Sequence, residues 1–274
     1  MSEVLLGKRA IVIGGGSGIG LASARLLARD GAHVTLAGRT EQKLADASAA
    51  LADEGLKDVD WAVCDALVAA QVSAAVDKAS DEDGRLHIAA VVPGGGSIKP
   101  VLMFEDDQFS AEVDKNVRPV FLLLKYAGRA MVRAGGGSFV AISSTAAVFS
   151  ARFLSSYCAG KRAVDALVRV AADELGEYNV RVNSVQPGLT RTPLTQKTFD
   201  DLSKAAHWKV GQALDRYGEA EDIAQAVRYF AGPESSWTTG QLLTVDGGHT
   251  LRAFIDYRDI MDVPDQGAAA RASR

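Results

Sequence analysis

Ala10-Ile11-Val12-Ile13-Gly14-Gly15-Gly16-Ser17-Gly18-Ile19-Gly20 is a short apolar run that breaks into glycines, and after it Leu21, Ala24, Leu27 and Ala28 recur at helical spacing. A strand feeding a glycine-rich turn that opens a helix places bare backbone N–H groups and the positive helix end where a pyrophosphate can sit. The competing reading is a flexible glycine loop. The next apolar run, His33-Val34-Thr35-Leu36-Ala37, decides against it, because it completes a β-α-β unit of the expected length.

Outward from this unit the alternation persists. Further strands are expected at 59–63, 87–92, 138–142, 180–185 and 242–245, and helices at 41–53, 69–80, 106–134, from 155 onward and at 221–231. Seven strands alternating with helices, with no linker or break in composition, predict a single α/β domain built on a doubly wound parallel sheet. Two stretches depart from regularity. Pro119 removes an N–H inside the long helix and predicts an interruption beside Asn116. Residues 193–216 mix polar and apolar types without a strong period, which suits a mobile flap.

With 274 residues and 47% hydrophobic content the chain can bury a sizeable core, and 27 glycines against 7 prolines suit many tight strand-to-helix turns. A net charge of −4 supplies no general attraction to nucleic acid or to an anionic membrane, and no apolar run approaches membrane length. Cys64 and Cys158 stand far apart outside any Cys-x-x-Cys pattern, which reads as packed, reduced thiols in a cytoplasmic protein. Met1-Ser2-Glu3-Val4 lacks the basic and apolar regions of a secretory signal. The scattered His33, His87, His207 and His249 have no metal-ligand spacing, so no metal is expected.

Ligands of open α/β sheets bind beyond the C-terminal ends of the strands. After the second strand comes Gly38-Arg39-Thr40, with no acid for an adenine-ribose hydroxyl; Arg39 is either a clamp for a 2′-phosphate or an exposed arginine before a helix. Asp65, after the third strand, either meets an adenine edge or caps the next helix. The fifth strand delivers Ser143 and Ser144. Beyond it, Ser155 or Ser156 is expected to cap a helix carrying Tyr157 and Lys161 one turn apart on one face. An ammonium beside a phenol favours its ionised form, and a free tyrosine titrates near ~10, too high for efficient proton transfer at neutral pH. With Ser144 folded back over Tyr157, the group describes a proton-transfer site for a carbonyl or alcohol. Alone, the Tyr-x-x-x-Lys pattern also fits a surface lysine below a packed tyrosine.

Taken jointly, in order and spacing from Gly14 to Gly248, these motifs resemble the short-chain dehydrogenase/reductase family. The resemblance implies a Rossmann-like domain over residues 1–250 with a built-in substrate pocket, and hydride transfer between NAD(P) and a secondary alcohol or ketone. It implies that Gly14, Ser17, Gly18, Ile19, Gly20 and Gly94 hold the cofactor, that Asp65 meets adenine, and that Pro187, Gly188, Thr190 and Thr192 belong to the nicotinamide carboxamide segment. Asn116, Ser144, Tyr157 and Lys161 fall on the family's catalytic tetrad. By that resemblance Tyr157 is the general acid/base, Ser144 orients the reacting oxygen, Lys161 lowers the Tyr157 pKa and bonds the nicotinamide ribose, and Asn116 holds a relay water. Arg39 without a neighbouring acid favours NADP(H), with NAD(H) the second option; Ser17 stands where many NADP-preferring relatives have a second basic residue.

Three positions depart from the family pattern: Val91-Val92-Pro93-Gly94 replaces Asn-Asn-Ala-Gly, Ile13 replaces threonine, and Gly160 replaces a frequent serine. Altered local packing is expected there. A β-ketoacyl thioester reductase is the competing enzyme, since no residue separates the two; a non-catalytic dinucleotide-binding regulator would not need the tetrad. Ile98, Phe149, Phe153, Leu154, Leu189, Leu194, Phe199 and Trp208 lie in segments that line family pockets and suggest a bulky apolar substrate, although they equally suit core packing. Ala163, Ala166 and Val170 widen the apolar face of the Tyr157 helix beyond what one sheet covers, as do residues 120–124, so a homodimer or homotetramer is expected. Residues 251–274 form an extension whose Phe254, Ile255, Tyr257, Ile260, Met261 and Val263 need a surface, either the pocket mouth or a neighbouring subunit.

Overall fold

Successive side chains of a strand point to opposite faces of its sheet, so strands that are apolar at nearly every position require cover on both faces. The computed structural model, which describes residues 3–92, 94–252, 257, 260–265 and 268, meets that requirement. The strands are β1 (Arg9–Ile13), β2 (His33–Gly38), β3 (Val59–Val63), β4 (Ile88–Val91), β5 (Gly137–Ile142), β6 (Val180–Pro187), β7 (Thr190–Arg191), β8 (Gly218–Glu219) and β9 (Leu242–Val245). Seven of them form one sheet in the order β3-β2-β1-β4-β5-β6-β9, every neighbouring pair parallel, while β7 and β8 pair separately. The helices are α1 (Gly18–Arg29), α2 (Glu41–Asp53), α3 (Ala69–Ala79), α4 (Asp106–Arg133), α5 (Ser155–Gly176), α6 (Gln196–Asp200), α7 (Leu202–Val210) and α8 (Ala220–Ala231).

Strand residues sort by parity between two cores. Ile11, Ile13, Ala89, Val91, Phe139 and Ala141 face α3, α4 and α5, whereas Ala10, Val12, Ile88, Ala90, Val140 and Ile142 face α1, α2 and α8. The order reverses between β1 and β4: from β1 the chain builds outward through β2 to β3, then returns to place β4 on the other side. A crevice opens at such a switch point, and here Gly14, Val92 and Gly94 lie on it.

Three local expectations are corrected. Residues 106–133 are one helix that runs through Pro119, whose ring removes the bond to the carbonyl of Lys115 without ending the helix. Residues 193–216 contain α6 and α7 instead of an irregular flap; Asp201 caps α7 by accepting from the N–H groups of Ser203 and Lys204, and Phe199, Ala205 and Trp208 are buried. Neither Ser155 nor Ser156 caps α5, whose N-cap is Leu154, because Ser156 is drawn away to Glu112. Pro93, Phe254 and Ile255 lie outside the described residues.

Candidate active site

The glycine turn is shaped so that only bare backbone fits it. A β-carbon on Gly20 would stand 2.1 Å from the carbonyl oxygen of Gly14, and one on Gly15 would stand 2.9 Å from that of Val12. Gly14 and Gly18 have φ of +86° and +53°, the region that favours glycine. The turn opens α1 at Gly18, with Ile19 and Gly20 in its first turn. A cleft of ≈ 280 Å³ runs from it past Gly16, Ser17, Arg39, Asp65, Val92 and Gly94. These residues fit the adenosine and pyrophosphate of a dinucleotide: bare amides at a helix start for phosphate, and cations at the end of β2.

Sequence reasoning missed one of those cations. Lys43, in the first turn of α2, lines the same cleft as Arg39, which precedes the helix cap, so a second basic group reaches this region without one in the glycine loop. A lysine in the first turn of the helix that follows Arg39 was the available signal. Asp65 stabilises its own turn, accepting from the N–H of Leu67 at 3.0 Å, and does not cap α3, whose N-cap is Val68.

Tyr157 and Lys161 project from the first two turns of α5. Burial pushes the Tyr157 phenol up, and its hydrogen bond with Ser144 pulls it back. The Lys161 Nζ lies 5.6 Å from the centre of the Tyr157 ring and donates to the carbonyl of Ile142 at 2.9 Å. Burial pushes its ammonium down to about 7, with the Asp165 carboxylate opposing. Desolvation thus disfavours the charged form of each group, pushing the phenol up and the ammonium down. Ser144 caps the short helical turn Thr145–Ala147, its Oγ accepting from the N–H of Ala146 at 3.1 Å, which fixes its side chain on the Tyr157 side.

Asp165 was also missed, although Tyr157, Lys161 and Asp165 repeat every four residues along one face. Its carboxylate is buried and accepts from Ser184 Oγ at 3.1 Å and Gln186 Nε2 at 2.7 Å, which anchors α5 to β6 beneath the site.

Asn116 is fully buried. Its Nδ2 donates to the carbonyls of Gly95 at 3.0 Å and Glu112 at 2.8 Å, and its Oδ1 accepts from the N–H of Gly95 at 3.3 Å. Both amide protons are committed, so a relay water here would have to be met by an acceptor, Oδ1 or the main-chain carbonyl. Glu112, one turn earlier, accepts from Ser97 Oγ at 2.6 Å, Ser156 Oγ at 2.6 Å and Gln108 Nε2 at 3.1 Å. Burial works to raise its carboxyl, but these hydrogen bonds hold it down at about 2. Asn116 and Glu112 together brace Gly95 and Ser97, just after the Val91–Gly94 stretch that departs from the family pattern.

The segment after β6, expected to meet the nicotinamide carboxamide, is held by its own backbone bonds. Pro187 ends β6, Gly188 donates to the carbonyl of Val245 at 3.0 Å, and Thr190 Oγ1 donates to the carbonyl of Gly188 at 3.0 Å. Thr192 reaches the glycine turn, since a β-carbon on Gly18 would stand 3.3 Å from its side chain. Among the expected pocket residues, Ile98, Phe153, Leu154, Leu189 and Trp208 gather in one cluster with Tyr157. Phe149 meets His249 at a tilt of 55°, with centroids 5.7 Å apart, at its border. Two do not join it: Leu194 is exposed, and Phe199 packs on Tyr217 at 5.1 Å and under the Arg191 guanidinium at 4.2 Å.

A family model described as enoyl-(acyl carrier protein) reductase matches residues 14–250. The chain is 33% identical over 250 residues to 3-oxoacyl-[acyl-carrier-protein] reductase FabG of Chlamydia muridarum, covering 90% of this chain and 99% of that protein. Among solved structures, a short-chain type dehydrogenase/reductase from Mycobacterium ulcerans superposes with a TM-score of 0.89 at 38% identity, covering 93% of this chain and 94% of that one. A gluconate 5-dehydrogenase from Burkholderia cenocepacia, solved with NADP and tartrate, gives a TM-score of 0.85 at 31% identity, covering 92% and 98%.

Proposed function

The chain belongs to the short-chain dehydrogenase/reductase family and is an oxidoreductase acting on CH–OH/C=O groups; on that premise we propose that it transfers hydride between NADP(H) and a secondary alcohol or ketone with a bulky apolar body. The observation that carries this reading is the Ser144–Tyr157 hydrogen bond beside a buried Lys161, set against an apolar cluster. The bound dinucleotide supplies the hydride donor or acceptor at its nicotinamide ring. Tyr157 gives its proton to the carbonyl oxygen on reduction and takes it back on oxidation, and Ser144 holds that oxygen by a second hydrogen bond. Lys161, buried beside the Tyr157 ring, would hold the nicotinamide ribose, whose hydroxyls would give its ammonium polar surroundings. Asn116 acts by holding the Gly94–Gly95 turn against α4.

Arg39 and Lys43 support NADP(H) over NAD(H), being the cations nearest the end of β2 in the cleft. The buried, free Cys64 and Cys158 support a cytoplasmic setting. Exposed Phe121, Val132 and Val170 along a groove of ≈ 550 Å³ between α4 and α5 support a homodimer or homotetramer. Among the described residues no helix is long and apolar enough to cross a membrane. A β-ketoacyl thioester reductase is the second reading, supported by the likeness to the Chlamydia reductase. A panel of ketones, secondary alcohols and β-keto thioesters, followed through the absorbance of reduced nicotinamide with each cofactor, tests both. Turnover of ketones fits the first reading, turnover confined to thioesters selects the second, and none with any substrate overturns both.

A further inference from the structure

Two segments that touch the root of Tyr157 are tied to one side chain, Glu112. The residue before Tyr157, Ser156, is fully buried, and its Oγ donates to Glu112 Oε2 at 2.6 Å. On the other side, a β-carbon on Gly96 would stand 2.8 Å from the Cβ of Tyr157, so the backbone of Gly96 lies against that side chain. The residue after it, Ser97, donates to Glu112 twice, from its N–H to Oε2 at 3.0 Å and from its Oγ to Oε1 at 2.6 Å. Gln108 Nε2 also donates to Oε1, at 3.1 Å. Glu112 therefore joins α4, the start of α5 and the segment after β4 at one point beside Tyr157.

Every one of these partners is a donor, and two of them cannot be turned round. The N–H of Ser97 belongs to the main chain. The amide of Gln108 is held by Lys99, whose Nζ donates to Gln108 Oε1 at 2.7 Å and lies 5.5 Å from the centre of the Phe104 ring. One fixed N–H donor thus faces each oxygen of Glu112, so the side chain here must accept at both of its ends. A glutamine accepts at one end only, and its NH2 would meet a donor whichever way it lay. Burial works to raise the Glu112 carboxyl, but the bonds from Ser156, Ser97 and Gln108 hold it down at about 2, so it is ionised at neutral pH and carries no proton to give. We propose that Glu112 is a positioning residue for the reaction: by fixing Ser156 and the backbone against the Tyr157 Cβ, it sets where the phenol stands relative to Ser144. This rests on the reading of Tyr157 as the proton-transfer group. Displacing a reacting group by about 1 Å costs as much as 10²-fold in rate, so a carboxylate that never touches substrate can still govern turnover.

The test uses the full chain with saturating NADPH and, as probe, whichever of 2-tetralone and the acetoacetyl thioester of N-acetylcysteamine the parent reduces faster. Rates are counted per NADPH-binding site, read from nucleotide fluorescence, so that unfolded molecules drop out. Glu112→Gln is expected to lower kcat by about tenfold or more, with KM for the probe and affinity for NADPH within about threefold of the parent. Exchanging the two groups, Glu112→Gln together with Gln108→Glu, puts an acceptor opposite the new amide and leaves Lys99 its partner; kcat should return to within about threefold of the parent. Ser156→Ala removes one arm of the cluster and should lower kcat by about threefold or more, which decides the matter if Glu112→Gln does not fold. Parental kcat in folded Glu112→Gln, parental kcat in Ser156→Ala, or an exchange variant as slow as the single one overturns the inference, and each leaves the reading of Tyr157 standing. A parent inactive on both probes while binding NADPH overturns that reading, and this inference with it.

Discussion

Asn116 occupies the space that a side chain on Gly160 would need: a β-carbon there would stand 2.8 Å from the Cβ of Asn116 and 3.2 Å from its Nδ2. The glycine before Lys161 is therefore the counterpart of a fully buried Asn116 drawn towards the Gly94–Gly95 turn. A serine at 160 requires that asparagine to sit elsewhere, and with it the turn that it holds. Gly160→Ser should destabilise the protein by about 1–3 kcal/mol, the usual cost of overpacking, and lower turnover through displacement of Asn116. Urea denaturation beside steady-state kinetics measures both; an unchanged midpoint means that Asn116 is not held as described.

Arg39 and Lys43 line the same cleft beside the glycine turn. If they hold a 2′-phosphate, Arg39→Ala should weaken NADPH binding by ~1–3 kcal/mol, the range for one charge-assisted contact, and Lys43→Ala by less. NADH binding should not move in either variant. Titration calorimetry with both nucleotides reads this directly, and equal affinities in the parent refute the preference.

Lys161 links stability to pH. Burial holds its folded pKa at about 7, below the ~10.4 of an unfolded chain. Between those values the unfolded chain binds the extra proton, so stability of the cofactor-free protein rises with pH across that window. Lys161→Met removes this titration. Its stability relative to the parent should be most favourable at and below pH 7 and should decline towards pH 10. Urea unfolding at several pH values checks it, and a difference that stays constant contradicts a depressed Lys161.

Val170 is 56% exposed and Phe121 48% exposed on the groove between α4 and α5. Light scattering should show a dimer or tetramer, and Val170→Glu should shift it to smaller species by placing a charge in the contact. A monomeric parent ends the oligomer proposal.

The fold was legible because its signals are local. The apolar strand runs, the glycine turn after Ile13 and the helical repeat after it each follow from neighbouring positions, and all recur in the structure. The pairing of Ser144 with Tyr157 was legible as well, since strand end and helix start are both fixed by short patterns. Glu112 and Asp165 were not, because a buried carboxylate shows its purpose only when its donors arrive from other segments: Ser97 and Ser156 in one case, Ser184 and Gln186 in the other. Spacing likewise reveals the cation near Tyr157 but not the burial that pushes its phenol up. Residues 193–216 looked irregular because α6 and α7 are too short to show a period, though Asp201 two residues before Ser203 was a cap in plain view.

The central claim is that Tyr157 moves the proton while the glycine turn binds the cofactor. Tyr157→Phe keeps the ring in its cluster and removes only the hydroxyl that pairs with Ser144. Turnover of any substrate found for the parent should fall by about 10²-fold or more in this variant, with NADPH affinity unchanged. Turnover equal to that of the parent would contradict the assignment of Tyr157.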